Sequence, residues 1–217
     1  MFVKEPKIGF VKTRLAKSLG DEFTLGLYKC FVKDLINTTK NKNYDFKLCA
    51  YPNLDLINRT FGKFDNFLQV DGNLGVKMQK AFEKQFELGY EKIVLIGSDT
   101  PHLSKELLSE SFDRLEDLKD LNKNKIVIGP SEDGGYYLIG FNKSALKKEI
   151  FEDISWSTSE VFNQTLQKVN TNELYLLKYL NDIDDIDDLK TFYKEYEKTF
   201  TSSNTIQFLK VNFDEKV

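Results

Sequence analysis

The stretch that most constrains this chain is Lys92 to Pro101, KIVLIGSDTP. Ile93 to Ile96 form an unbroken apolar run, the pattern of a strand buried on both faces of a parallel sheet. Gly97 removes the side chain where that strand ends, and Ser98 and Asp99 follow at once. Pro101 biases Thr100 away from helical dihedrals, so the chain must turn before a helix begins at about Ser104. Asp99 is thereby delivered to the carboxyl edge of a central strand, where open α/β sheets bind ligands. An Asp in that place can also serve only its own turn.

Composition narrows the classes. At 217 residues, 41% hydrophobic and 30% charged, the chain suits one α/β domain with a sizeable core, expected over 1–199 with 200–217 as a C-terminal extension of it. That extension is expected to pack on the domain or on a second copy in a homodimer. A formal net charge of -3 supplies no basic field, which argues against nucleic acid as a partner. Only three residues are arginine, Arg14, Arg59 and Arg114, so the position of each carries information. Cys30 and Cys49 lie in apolar surroundings without a CxxC spacing, which reads as buried free thiols in a reducing compartment, the cytoplasm. His102 is a lone histidine, which excludes a multi-histidine zinc site. No apolar run reaches the length of a membrane span, and no signal peptide opens the sequence.

Taken in order, the first twenty residues read as the stub of a strand followed by a basic loop with Lys4, Lys7, Lys12, Arg14 and Lys17. Pro6 and Gly9 break any periodicity there. Such a loop can wrap phosphates, with backbone N–H groups and cationic side chains sharing the charge, or it can be a solvated basic surface. It contains no Walker A pattern. Gly20 and Asp21 mark a helix stop and a new start, and Phe23, Leu27, Phe31 and Leu35 then repeat every four residues as the core face of a helix. Strands are expected at Phe46–Tyr51, Phe67–Val70, Ile126–Ile128 and Leu174–Leu180, with a short helix within Asn53–Asn66. Leu74, Met78, Phe82 and Phe86 mark a helix closed by Gly89, and Leu107–Leu118 a further one. The alternation of strand and helix predicts a Rossmann-like α/β fold with a mostly parallel sheet flanked by helices.

Two later stretches carry chemistry. In GPSEDGGYYLIG, Asp133 precedes Gly134 and Gly135, which permit positive φ or close approach to a ligand. Asp-Gly is also a strong hairpin signal, and a hairpin turn at the sheet's active edge would place Asp133 in a ligand cleft. Tyr136 and Tyr137 offer flat faces and hydroxyls suited to a sugar. In ISWST, Ser157 or Thr158 is expected to cap a helix with Glu160 in its first turn, and Trp156 either lines an acceptor pocket or packs the helix start. The acidic run Asp182 to Asp188 can cap the helix through Leu189 and Phe192. One member, Asp182 or Asp184, can share a hard cation with Asp99.

The ordered motifs VKEPKIGFVKTRL, IGSDTPHL, GPSEDGGYYLIG, ISWST and DIDDIDDL resemble the bacterial rSAM/selenodomain-associated transferase family over about Phe2 to Phe192. That family is similar to GT-A-type glycosyltransferases and to molybdenum-cofactor-type nucleotidyltransferases. The resemblance implies a nucleotide-diphospho-sugar transferase fold, with the loop of Lys4, Gly9, Lys12 and Arg14 facing donor phosphates and Asp99 holding a divalent metal. The chain departs from the family in two places. Its first strand looks short, and Asp182-Ile183-Asp184-Asp185-Ile186 stands where relatives read Asp-x-Asp-Thr-Pro.

Together these features lead to an expected transferase on a nucleotide-activated donor and a small-molecule acceptor, with Mg²⁺ or Mn²⁺ held by Asp99 and Asp184. Asp99 and Asp133 are the expected catalytic pair, Asp133 orienting or deprotonating the acceptor. Ser98, Gly134, Gly135 and Trp156 join Lys4, Gly9, Lys12 and Arg14 as binding residues. Glycosyl transfer leads, nucleotidyl transfer is its rival, and a non-catalytic nucleotide-sugar-binding protein is the third class.

Overall fold

The apolar runs and four-residue stripes fold into alternating strands and helices in a computed structural model, which describes residues 1–40, 43–116 and 125–213. Contacts divide the chain into two units, one built from Met1–Leu68, Ser98–Leu103 and Asp182–Val217, the other from Gln69–Gly97 and Ser104–Asn181.

In the first unit, strands β1 (Phe2–Lys4), β2 (Lys47–Tyr51) and β3 (Asp65–Leu68) form a parallel sheet in that order. Val3 pairs with Ala50, and Cys49 with Phe67. β3 begins two residues earlier than its apolar run suggests, because its register starts at Lys47 opposite Asp65. Helix α2 (Asp21–Thr39) buries Phe23, Leu27, Phe31 and Leu35, as its four-residue repeat requires. Ahead of it lies a helix that the density of basic residues disguised as loop: α1 (Thr13–Leu19) buries Leu15 and Leu19, one turn apart. Gly20, at φ 82°, separates the two. Helix α3 (Asp55–Phe61) is the short helix expected there. Helices α7 (Ile186–Tyr196) and α8 (Asn204–Asn212) complete a core in which Phe31, Leu189, Phe192 and Leu209 are buried together. The C-terminal segment therefore packs on its own unit.

In the second unit, α4 (Leu74–Glu87) is capped by Asn73, whose side chain accepts from the Val76 N–H at 3.0 Å, and Gly89 follows at φ 98°. Strands β4 (Lys92–Ile96), β5 (Ile126–Pro130), β6 (Tyr136–Asn142) and β7 (Leu174–Leu176) form a sheet in the order β4-β6-β5-β7. β6 runs against both neighbours and β5 pairs parallel with β7, so β6 alone breaks the common direction. The expected hairpin is the β5–β6 connection. β4 differs from expectation: its partner here is antiparallel, and Ile93 and Val94 are half-buried while Leu95 and Ile96 are buried. β7 ends early, yet Leu177 N–H still donates to the Ile128 carbonyl at 2.9 Å and Leu180 bridges to Ser131. Helix α5 (Lys105–Glu116) starts after Ser104, whose hydroxyl accepts from the Leu107 N–H at 3.2 Å; its expected end at Leu118 lies outside the described residues. The remaining helix is α6 (Val161–Lys168). No helix of the described residues is long and apolar enough to cross a membrane.

Candidate functional site

The basic loop, the turn after β4 and the acidic run meet at one lysine. Lys12 stands immediately before α1 in a left-handed conformation, φ 48° and ψ 45°, uncommon for a residue with a side chain. Its Nζ lies 2.7 Å from Asp99 Oδ1 and 2.7 Å from Asp184 Oδ1. The Lys12 side chain is only 5% exposed, whereas Asp99 and Asp184 keep 43% and 40% of theirs. Burial works to depress the Lys12 ammonium pKa, but the two carboxylates outweigh it and hold it above the ordinary lysine value. Burial likewise opposes ionisation of Asp184, yet Lys12, then Arg14 and Lys4, hold its carboxyl below the usual range. Arg14 Nη1 approaches Asp184 Oδ2 at 3.7 Å, and 70% of the Arg14 side chain faces solvent.

Neighbouring groups fix this arrangement. The Tyr28 hydroxyl, projecting from α2, accepts from Lys4 N–H at 2.9 Å and donates to the Lys4 carbonyl at 3.2 Å. One tyrosine thus ties the end of β1 to α2. Ile183 N–H donates to the Asp99 carbonyl at 3.0 Å, and Thr100 Oγ1 donates to Asp182 Oδ1 at 2.8 Å. The acidic run divides its labour. Asp185 Oδ1 accepts from the N–H groups of Asp187 and Asp188, while Asp188 Oδ2 accepts from those of Asp184 and Asp185, a reciprocal capping box on α7. That leaves Asp184 to face the lysine.

Of the other expected site residues in this unit, Lys4 is exposed, Gly9 sits exposed in the loop at φ 72°, and Ser98 is buried. Tyr28 anchors the Lys4 backbone, a task that its sequence concealed, since an aromatic in a helix stripe reads as core packing.

Asp133, Gly134, Gly135 and Trp156 belong to the second unit, where each has a local task. Asp133 Oδ1 accepts from the Ser131 hydroxyl and from Gly135 N–H at 2.9 Å, holding the hairpin turn. Gly134 has φ 87°, and a Cβ there would lie 2.0 Å from the Ser159 carbonyl oxygen. Trp156 lies against Gly75 in the first turn of α4, where a Cβ would meet its indole at 2.8 Å, so it packs a helix start other than the expected one. Thr158 does not cap α6; its Oγ1 accepts from Glu160 N–H at 3.3 Å in the turn before it, and Glu160 itself is the residue flanking the helix. Of the tyrosine pair, Tyr137 is buried and Tyr136 is half-buried. The Tyr137 hydroxyl donates to the Lys178 carbonyl at 2.8 Å, and burial pushes the Tyr136 phenol pKa up.

Among the described residues, no group of three or more His, Cys, Asp and Glu side chains is placed to hold a metal. Asp99 and Asp184 offer two hard carboxylates, which fits an ion such as Mg²⁺ that takes one or two carboxylates and completes its shell with phosphate and water.

Residues 35–158 match the family model described as an uncharacterized protein conserved in bacteria, DUF2064. The chain belongs to this family. It is also similar to the crystal structure of a protein from Desulfovibrio desulfuricans G20 provisionally named a nucleotide-diphospho-sugar transferase, at 32% identity and TM-score 0.90 over 98% of this chain and 93% of that one. More distant structures share the fold. A 4-diphosphocytidyl-2C-methyl-D-erythritol synthase from Anaerococcus prevotii DSM 20548 matches at 12% identity and TM-score 0.53, covering 79% of this DUF2064 chain and 86% of that one. A cytidylyltransferase from Leptospira borgpetersenii serovar Hardjo-bovis matches at 12% identity and TM-score 0.52, covering 99% and 92%. No curated protein matches the chain in sequence. The fold is thus α/β with a mostly parallel sheet, as in nucleotide-diphospho-sugar transferase and cytidylyltransferase structures.

Proposed function

We propose that this chain is a cytoplasmic transferase of the rSAM/selenodomain-associated group that moves a sugar from a nucleotide diphosphate donor to a small-molecule acceptor. The observation that carries the reading is the Lys12–Asp99–Asp184 cluster, present on a chain that aligns along 98% of its length with a structure named for nucleotide-diphospho-sugar transfer. Two half-exposed carboxylates beside a buried lysine and a solvent-facing arginine suit a site that balances phosphate charge.

In this reading Arg14 meets the donor's phosphate oxygens with its guanidinium. Asp99 and Asp184 would hold Mg²⁺ or Mn²⁺ together with those oxygens, and the ion when bound would supply stabilisation for the charge on the departing phosphate. The acceptor hydroxyl attacks the anomeric carbon, the bond from that carbon to the diphosphate oxygen breaks, and the diphosphate leaves with the electron pair. The acceptor proton passes to solvent water as the new bond forms.

Nucleotidyl transfer is the second reading, favoured by the cytidylyltransferase structure that covers 99% of the chain. There the acceptor oxygen attacks the α-phosphorus of a nucleoside triphosphate and pyrophosphate leaves. Phosphorus NMR of incubations with nucleotide sugars and with nucleoside triphosphates separates the two. Nucleoside diphosphate released from a nucleotide sugar is the expected result. Pyrophosphate released from a triphosphate, with every nucleotide sugar intact, overturns it in favour of nucleotidyl transfer. Binding of a nucleotide sugar with turnover of neither class reduces the protein to a carrier.

A further inference from the structure

We propose that Lys12 is the resident cation of the Asp99–Asp184 pair and that a divalent metal reaches the pair only in competition with it, so that metal and donor diphosphate bind cooperatively. This rests on the donor-binding reading above and adds to it a regulatory role for the lysine.

The geometry states the competition. Asp99 Oδ1 and Asp184 Oδ1 are each 2.7 Å from the same ammonium. Direct coordination of Mg²⁺ by those oxygens would require contacts of about 2.0–2.1 Å, using lone pairs that the ammonium already engages. Charge points the same way. Two carboxylates, Lys12 and Arg14 sum to zero by formal count, so the cluster has little electrostatic pull left for an added ion. The Lys12 side chain is also almost wholly buried, so its ammonium depends on these two carboxylates for its counter-charge.

A metal arriving alone must displace a buried ammonium and leave it without an anion, which is costly. A diphosphate arriving with the metal supplies that anion. Lys12 then moves its charge from carboxylate to phosphate while the metal takes its place, and each ligand strengthens the other. Lys12 is in this account a positioning residue, whose role is read in metal affinity.

The test is a Mn²⁺ titration followed by the electron paramagnetic resonance of free Mn²⁺, on wild-type protein and on Lys12→Met, whose side chain keeps the length and loses the charge. With Mn²⁺ alone, Lys12→Met is expected to bind roughly tenfold more tightly than wild type. In wild type, a saturating nucleoside diphosphate is expected to tighten Mn²⁺ by about 5- to 150-fold, and in Lys12→Met by much less. Lys12→Met that binds Mn²⁺ no better than wild type overturns the proposal, and so does a wild-type Mn²⁺ affinity that ignores the nucleotide. If Lys12→Met does not fold, the wild-type comparison with and without nucleotide decides alone. If no nucleoside diphosphate binds wild type, the donor reading fails, and the metal-only comparison still decides the competition.

Discussion

Arg14 and Lys12 are two residues apart in a basic segment, yet the structure gives them different surroundings. Lys12 is buried between carboxylates, and Arg14 is mostly in solvent with one long contact to Asp184. Arg14→Ala is therefore expected to weaken nucleoside diphosphate binding by about tenfold, the worth of one charge-assisted bond of ~1.5 kcal/mol, while leaving the melting temperature nearly unchanged. Calorimetric titration checks the affinity, and unchanged binding would make Arg14 a plain surface charge. Cys49 is buried as its apolar neighbourhood suggests, whereas Cys30 is only half-buried; partial burial still raises the Cys30 thiol pKa to about 11. Alkylation by iodoacetamide at pH 8 is expected to be slow in the folded protein and fast in denaturant; rapid modification of folded Cys30 would contradict this. The sequence suggested that Asp99 and Asp184 share a cation, but not that Lys12 stands between them. Lys12 and Asp184 lie 172 positions apart, and a basic segment reads the same whether it is solvated or neutralised inside the fold.

The elements were legible where a strong period existed. The stripe from Phe23 to Leu35 gave α2 directly, whereas α1 offers a single buried pair, Leu15 and Leu19, too short a repeat to outweigh its lysines. The C-terminal helix was not legible because its anchor is remote. Asp34 on α2 accepts from Ser203 Oγ at 2.6 Å, from Asn204 N–H and Nδ2 at 2.7 Å each, and from Thr205 N–H at 2.9 Å. Asp34→Ala removes that cap from α8 and leaves several nearly buried donors unmet. A loss of about 2–4 kcal/mol follows, or a fall of roughly 5–15 °C in melting temperature. Circular dichroism melts check it, and a shift under 2 °C would mean that α8 contributes little. At the β5–β6 hairpin, Gly134→Ala forces a Cβ against the Ser159 backbone at positive φ. A destabilisation of at least about 2 kcal/mol is expected in a denaturant titration, and a neutral result would show that the turn can yield.

For the whole molecule, alternation of strand and helix was enough to reach the α/β fold, and the Asp133-Gly134 pair was enough to place the β5–β6 hairpin. What alternation leaves open is which strands pair, since parallel and antiparallel burial of a short apolar run look alike; β4 beside antiparallel β6 is the example. Asp99 and Asp184, drawn together around Lys12, are proposed as the site of a metal-assisted nucleotide diphosphate. Calorimetric titration of a nucleoside diphosphate, with Mg²⁺ and then with a chelator, tests it on wild type and Asp99→Asn. Affinity at least about tenfold higher with metal is expected in wild type, and no such difference in Asp99→Asn. Equal wild-type affinity with metal and with chelator would contradict it.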